Sequence, residues 1–128
     1  MRKPSDLKAS LDAMPQAPLD ALIAFADTVT VEARHAIVAF AATRRLPAIY
    51  EASEWVAAGG LMAHGVRHVD QFRQSAPCVD RILKGARPAD LPASPPTIVR
   101  LTIDSTVACA PGNAIPASLL LRADELVR

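Results

Sequence analysis

Hydrophobic residues along the chain form short unbroken runs that are separated by segments with helical spacing. Unbroken runs predict buried strands, and apolar residues that recur every three or four positions predict helices. The pattern predicts strands at 21–26, 46–50, 61–64 and 97–103, and helices at 5–14, within 28–45, and at 53–58, 69–83 and 116–128. Because the early strands alternate with helices, we expect β-α-β units with right-handed crossovers. The predicted fold class is α/β, a parallel sheet with flanking helices.

Prolines and one glycine mark the ends and breaks of these elements. Pro15 and Pro18 end the first helix, because proline lacks the N–H that would continue it. Pro77 lies inside the 69–83 segment and predicts a kink, and Gly85 stands where a helix C-cap belongs. Four prolines between 86 and 96 predict an extended connector.

Composition narrows the class of protein. A chain of 128 residues is one domain by length, and 51% hydrophobic against 21% charged residues excludes intrinsic disorder. A net charge of +1 argues against nucleic acid or an anionic membrane as partner. No run approaches the ~20 apolar residues of a membrane span. The opening MRKPSDLKAS lacks the apolar segment of a secretory signal, which by itself predicts a cytoplasmic chain.

The cysteines and histidines carry no metal or redox pattern. Cys78 and Cys109 lie far apart and outside any CxxC motif. They can pair only if the fold brings their Cα atoms within about 7 Å, and the simpler interpretation is two small hydrophobic residues. No spacing places two histidines on one helical turn, so no metal site is predicted.

Polar residues follow the first three predicted strands. Asp27 and Thr28 follow the first strand, Tyr50 and Glu51 end the second, and His64 ends the third. Because the carboxyl ends of parallel strands share one edge, where ligands bind in open α/β sheets, we expect these residues to converge. A carboxylate can hold an ammonium group, while Thr28 and the N–H groups of a helix start can hold a carboxylate. The set predicts a site for a small polar or zwitterionic solute, without a cofactor.

Three of these residues also have a structural interpretation. Asp27 can cap the following helix, Glu51 can be a solvated loop residue, and His64 can be a hydrogen-bonded histidine at a strand end. Enzyme interpretations have less support, because the sequence lacks GxSxG, HExxH, P-loop and GxGxxG motifs. No catalytic residue is predicted.

Four motifs occur in a specific order and spacing. They are LPAIY at 46–50, GGLMxxG at 59–65, RILKGxxPADLP at 81–92 and IPxSLLxRADE at 115–125. With them, the chain from about Asp20 to Arg128 resembles the substrate-binding components of ABC transporters of the tryptophan/tyrosine-binding type. Members of that family are more than twice as long, and their tyrosine is replaced here by His64.

The resemblance implies part of a type I periplasmic-binding-protein-like clamshell, in which two α/β lobes close on a solute. It implies that Asp27 and the residue after it face the solute. Residues 1–65 are then a partial second, C-terminal lobe. Residues 66–128 are then a hinge return, a helix, a proline-rich connector, a strand and a terminal helix of the first lobe.

The implied function is that of a truncated solute-binding component of an ABC-type importer. It binds a small molecule such as an aromatic amino acid and delivers it to a membrane permease outside the cytoplasm, without catalysis. Two alternatives stay open. One is a self-associating interaction module, or a non-functional remnant, in which exposed lobe surface makes a homodimer. The other is a small cytoplasmic α/β enzyme.

Overall fold

A computed structural model describes residues 4–14, 19–92, 98–110 and 115–128. Its contacts divide the chain into two units, Met1–Gly65 with Arg100–Arg128, and Val66–Val99. The first unit contains α1 (Pro4–Ala13), β1 (Leu22–Ala24), α2 (Thr28–Glu32), α3 (Arg34–Arg44), β2 (Ala48–Tyr50), α4 (Ser53–Ala57), β3 (Met62–Gly65), β4 (Arg100–Asp104), α6 (Ser105–Ala108), α7 (Ala117–Leu120) and β5 (Glu125–Val127). The second contains α5 (His68–Leu83) and a short 3₁₀ helix (Pro88–Asp90).

One sheet of five strands, in the order β1-β2-β3-β4-β5, forms the centre of the first unit. Strands β1, β2 and β3 are parallel, as the alternation with helices predicts, and β5 is parallel to β4. Strand β4 runs antiparallel to β3 and begins beside its end, where Gly65 pairs with Arg100. The mixed α/β architecture with a mostly parallel sheet and flanking helices confirms the predicted fold class.

One face of this sheet is covered by helices. Its strands contribute the small residues Ala24 and Ala63, which are both paired to the larger Tyr50 between them. Against them pack Trp55 and Val56 of α4, which are almost fully buried. The same core also contains Leu7, Leu11, Ile37, Val38, Ala41, Leu46, Ala48 and Ala52. The small side chains let the helices lie close to the strands, and they account for a core with few aromatic rings.

The opposite face is covered over only part of its width. A row of paired residues crosses it, from Ile23 through Ile49 and Met62 to Ile103. Ile103 is fully buried in a second core cluster, which also draws on Met62 and Leu119. Ile23, at the other end of the row, is 65% exposed. Among the described residues, this face is therefore packed around Ile103 and open at Ile23.

The C-terminal segment differs from its prediction. A helix from residue 116 to the end is wrong, because α7 stops at Leu120 and Leu126 lies in β5. The apolar residues of this segment do have helical spacing. In the folded chain, however, Glu125–Val127 pairs with β4, which satisfies backbone groups that an open strand edge would leave without partners.

The second unit is dominated by α5, which continues through Pro77. Gly85 follows the last helical turn with φ +98°, which confirms it as a residue of the C-cap. The expected extended connector contains regular structure, because Pro88–Asp90 forms a 3₁₀ helix. Arg87 stabilises this turn with two hydrogen bonds, of 2.8 and 3.0 Å, to the Asp90 carboxylate. Pro15, Pro18 and residues 93–97 lie outside the described residues.

No residue of α5 is buried. Its apolar stripe includes Phe72 at 76% and Leu83 at 81% exposure.

No helix in the described part of the chain has the length and apolar character to cross a bilayer. By their contacts, residues 100–128 belong to the same compact unit as 1–65. The assignment of 66–128 to the first lobe of longer family members stays a prediction.

Candidate functional site

The carboxyl ends of β1, β2 and β3 form one edge of the sheet, and a cavity of about 430 Å³ lies there. Three of the five predicted site residues line it, namely Tyr50, Glu51 and His64. The rest of its lining is Ile23, Ala24, Phe25 and Ile49. Asp27 and Thr28 do not line this cavity. The parallel strands therefore bring three of the five predicted residues together on a largely apolar wall.

Asp27 is the N-cap of α2. Its Oδ1 accepts hydrogen bonds from the N–H groups of Val29 at 2.7 Å and Thr30 at 2.9 Å. In return, the Thr30 hydroxyl accepts from the Asp27 N–H at 2.8 Å, which completes a capping box. The Thr30 N–H, more than that of Val29, holds the pKa of Asp27 below its usual value. The structural interpretation of Asp27 is thus observed.

This cap changes the expected role of the helix start. From the sequence, Thr28 and the first N–H groups of the helix are expected to hold a ligand carboxylate. Two of those N–H groups, on Val29 and Thr30, instead donate to Asp27. Thr28 is exposed as the first residue of α2. A ligand carboxylate would have to displace the Asp27 side chain to reach these amides.

Glu51 links two neighbouring strand ends. Its Oε2 accepts a hydrogen bond of 2.8 Å from the N–H of Ala26, which lies after β1. The Glu51 backbone lies directly against Gly65, because a Cβ added at Gly65 would come 1.7 Å from the Glu51 carbonyl oxygen. Glu51 is therefore an exposed residue held in place from two sides, and not simply a solvated loop residue.

Tyr50 belongs to the core more than to the cavity. Its side chain is 2% exposed, and its ring stacks on Trp55 with centroids 5.0 Å apart and an angle of 12° between the planes. Burial raises the pKa of Tyr50 to about 12, so its phenol is neutral at physiological pH. This environment favours a structural role for the ring.

His64 lies between two cavities. A second cavity of about 340 Å³ shares Ile49 and His64 with the first and extends over β3 and β4. Arg122 and Asp124, in the segment between α7 and β5, also line it. Neither residue is among the predicted site residues, although both belong to the IPxSLLxRADE motif, because the apolar spacing of that motif predicts a helix.

The chemistry of this edge suits binding. Apolar side chains form most of the walls, and Glu51, His64 and Arg122 supply a carboxylate, an imidazole and a guanidinium. Among the described residues, no three His, Cys, Asp or Glu side chains are grouped to hold a metal ion. Cys78, half-buried, and Cys109, exposed, are free thiols.

Comparisons with known proteins also indicate a binding protein. A family model described as ABC transporter substrate binding protein matches residues 1–127. No curated protein sequence matches the chain. The family match supports the resemblance that the four motifs carry.

Solved structures share the fold. A conserved domain protein from Vibrio cholerae is 24% identical with a TM-score of 0.88, and it aligns with 99% of this chain but 43% of its own. An ABC domain in complex with L-Trp from Streptococcus pneumonia is 22% identical with a TM-score of 0.87, over 99% and 43% of the two chains. The ligand-free, open structure of CD0873, a substrate binding protein with adhesive properties from Clostridium difficile, is 16% identical with a TM-score of 0.66, over 100% and 42%. The chain spans less than half the length of each.

Proposed function

Because the chain belongs to the ABC transporter substrate-binding protein family, we propose that it binds a small solute at the edge where β1, β2 and β3 end. The observation that carries this proposal is the cavity of about 430 Å³ at that edge. Its volume lies within the roughly 300–1,000 Å³ of small-molecule sites. Its apolar wall with a single carboxylate and an imidazole suits a solute that has both an apolar body and a polar head.

The solute class that fits best is an aromatic amino acid. Phe25, 73% exposed, and Ile23 supply apolar surface for a ring. The Glu51 carboxylate can accept from an ammonium group, because only its Oε2 is used by Ala26. A similar structure has L-Trp bound, which motivates tryptophan as the first ligand to test.

The biological role in this proposal is that of a non-catalytic component of an ABC importer outside the cytoplasm, which presents the solute to a permease. Family membership supports the role. The similar solved chains are more than twice as long, and this proposal assigns to the additional part the enclosure of the ligand from the other side. We therefore expect the 128-residue chain to bind more weakly than a protein that buries the solute from both sides.

Calorimetric titration of the purified chain with L-tryptophan tests the proposal. We expect measurable heat and a thermal shift at millimolar ligand. Replacing Phe25 by Ala removes apolar surface from the cavity and should weaken binding about tenfold. Phe72→Ala is the matched control, because Phe72 is 76% exposed on α5 and does not line the cavity. No heat with the unmodified chain, or equal losses in both variants, would contradict solute binding at this edge.

Self-association is a second candidate function, and the exposure of Ile23 and Phe25 favours it. A second copy that covered these residues would bury the open part of the sheet. Light scattering across a range of concentrations separates the two candidates. A dimer that Phe25→Ala dissociates supports self-association, whereas a monomer that still loses tryptophan affinity with this change supports the solute site.

A further inference from the structure

We propose that the second cavity, on the other side of His64, is a carboxylate subsite with Arg122 as its anchor. The inference rests on the proposed function, because it takes the same solute and adds where its carboxylate is held. The cavity of about 340 Å³ is bounded by β3, by β4 and by the segment that leads from α7 into β5. Met62, Leu101 and Leu119 form its apolar part, and His64, Arg122 and Asp124 its polar part.

Asp124 is committed to the backbone. Its N–H donates to the Leu101 carbonyl oxygen at 2.9 Å, and its Oδ2 accepts from the Leu101 N–H at 2.7 Å. This pair of bonds clamps the segment before β5 onto the first part of β4. Asp124 thereby fixes the backbone close to Arg122, whose own N–H donates to the Leu119 carbonyl at 3.1 Å.

Arg122 is left with its charge available. Ion pairs among the described residues include those of Arg73 with Asp70, Lys84 with Asp80 and Arg87 with Asp90. Arg122 makes none of these pairs, although Asp124 lines the same cavity. A planar guanidinium can bind both oxygens of a carboxylate at once, which is stronger and more specific than a single ammonium contact.

The two cavities share Ile49 and His64, so one ligand can extend from one into the other. An aromatic body that lies on Phe25 and Ile23 then passes His64 and places its carboxylate on Arg122, while Glu51 faces the ammonium side. The apolar walls of the second cavity and the nearby Asp124 favour a monoanion over a phosphate, because a second negative charge would lie near the Asp124 carboxylate.

Discrimination between L-tryptophan and tryptamine, which lacks the carboxylate, tests the anchor. We expect the unmodified chain to bind L-tryptophan at least tenfold more tightly than tryptamine. Arg122→Gln should remove most of this preference, and Arg122→Lys should keep part of it. Arg81→Gln, on α5 in the other unit, is the control and should change nothing. A preference that survives in Arg122→Gln overturns the inference.

Nuclear magnetic resonance distinguishes a failure of the subsite from a failure of the proposed function. The probes are 3-phenylpropionate and its alcohol analogue, followed at the methyl groups of Ile23, Met62 and Leu119. The subsite is supported, even if tryptophan does not bind, when 3-phenylpropionate shifts the Met62 and Leu119 signals and its alcohol analogue does not. These shifts should be lost in Arg122→Gln. Shifts at Ile23 with tryptophan, without any at Met62 and Leu119, leave the solute site standing and overturn the subsite.

Discussion

Glu51 and Ala26 are joined by a hydrogen bond of 2.8 Å between the Glu51 Oε2 and the Ala26 N–H. The bond connects the end of β2 to the segment after β1, immediately before the N-cap Asp27. A single carboxylate thus holds the backbone on which two of the predicted site residues lie. The geometry of this edge depends on a side-chain contact as well as on the ladder of the sheet.

Replacing Glu51 separates this structural role from a role in binding. Glu51→Ala leaves the Ala26 N–H without its partner and should cost about 1 kcal/mol of unfolding free energy. Glu51→Gln keeps an acceptor oxygen and should be nearly as stable as the unmodified chain, yet it loses the charge that an ammonium group would meet. Urea unfolding and tryptophan titration of both variants measure the two effects. An unchanged unfolding free energy in Glu51→Ala would show that the hydrogen bond does not stabilise the fold.

Asp27 should make stability depend on pH in the acid range. Because its pKa in the folded chain is lowered by the Thr30 and Val29 amides, its stabilising effect is complete above its unfolded value of 3.8 and is lost as pH falls through the lower folded value. Asp27→Asn keeps a capping oxygen without this titration, and Asp27→Ala removes the cap. We expect Asp27→Ala to lower the urea midpoint at neutral pH more than Asp27→Asn. If Asp27→Asn loses unfolding free energy at acid pH as steeply as the unmodified chain does, the Asp27 cap is not the cause of that loss.

Trp55 should dominate the core of the first unit. It is 1% exposed and stacks on Tyr50, so Trp55→Ala should cost about 3–5 kcal/mol, which is comparable to the total stability of a small domain. Trp55→Phe keeps an aromatic ring and should remain folded with a smaller loss. Circular dichroism during urea unfolding follows both variants. A folded Trp55→Ala variant that loses less than about 1 kcal/mol would contradict the burial of Trp55 in this core.

The single tyrosine provides an alkaline test. Since burial raises the pKa of Tyr50 from 10 to about 12, its stabilising effect is complete below pH 10 and is lost as pH rises from about 10 to 12. Ultraviolet absorbance of tyrosinate reports this ionisation directly, because the chain has no other tyrosine. Tyr50→Phe should remove this part of the alkaline destabilisation. A Tyr50 that titrates near pH 10 in the folded chain would place its ring in solvent.

Gly65 should tolerate no side chain. The Cβ of Gly65→Ala would lie 1.7 Å from the Glu51 carbonyl oxygen, so either strand end must move, at a cost of about 2 kcal/mol or more. Gly59→Ala is a control in the same unit, because its nearest atom is Val38 Cγ1 at 3.8 Å and only its φ of +94° is unfavourable. Urea unfolding compares the two, and the Ala26 amide resonance reports whether Glu51 has moved. A smaller loss at Gly65 than at Gly59 would contradict the close approach.

The first three strands could be predicted because their apolar runs are short and unbroken, and helical segments separate them. The convergence of Glu51 and His64 then followed from the parallel arrangement alone. Tyr50 illustrates the limit of that argument. Although Tyr50 lines the cavity, adjacent strand residues point to opposite faces, and this alternation places the Tyr50 side chain with Ala24 and Ala63 in the core.

Arg122 and Asp124 could not be placed from local patterns. The apolar residues between Leu119 and Leu126 have helical spacing, so the local pattern predicts a helix. Pairing with β4 decides the outcome, and that pairing depends on residues far away in the sequence, such as Leu101. Long-range hydrogen bonds override a local propensity that is worth only a fraction of a kcal/mol per residue.

The register between Gly65 and Arg100 has a consequence for the architecture of the chain. Since these two residues are partners across β3 and β4, everything between them departs from and rejoins the sheet at adjacent points. In topological terms, 66–99 is an insertion at the tip of a β-hairpin. Excising it and closing the gap with an Asn-Gly turn would preserve the path of the remaining chain, and it would yield a minimal scaffold that carries both cavities.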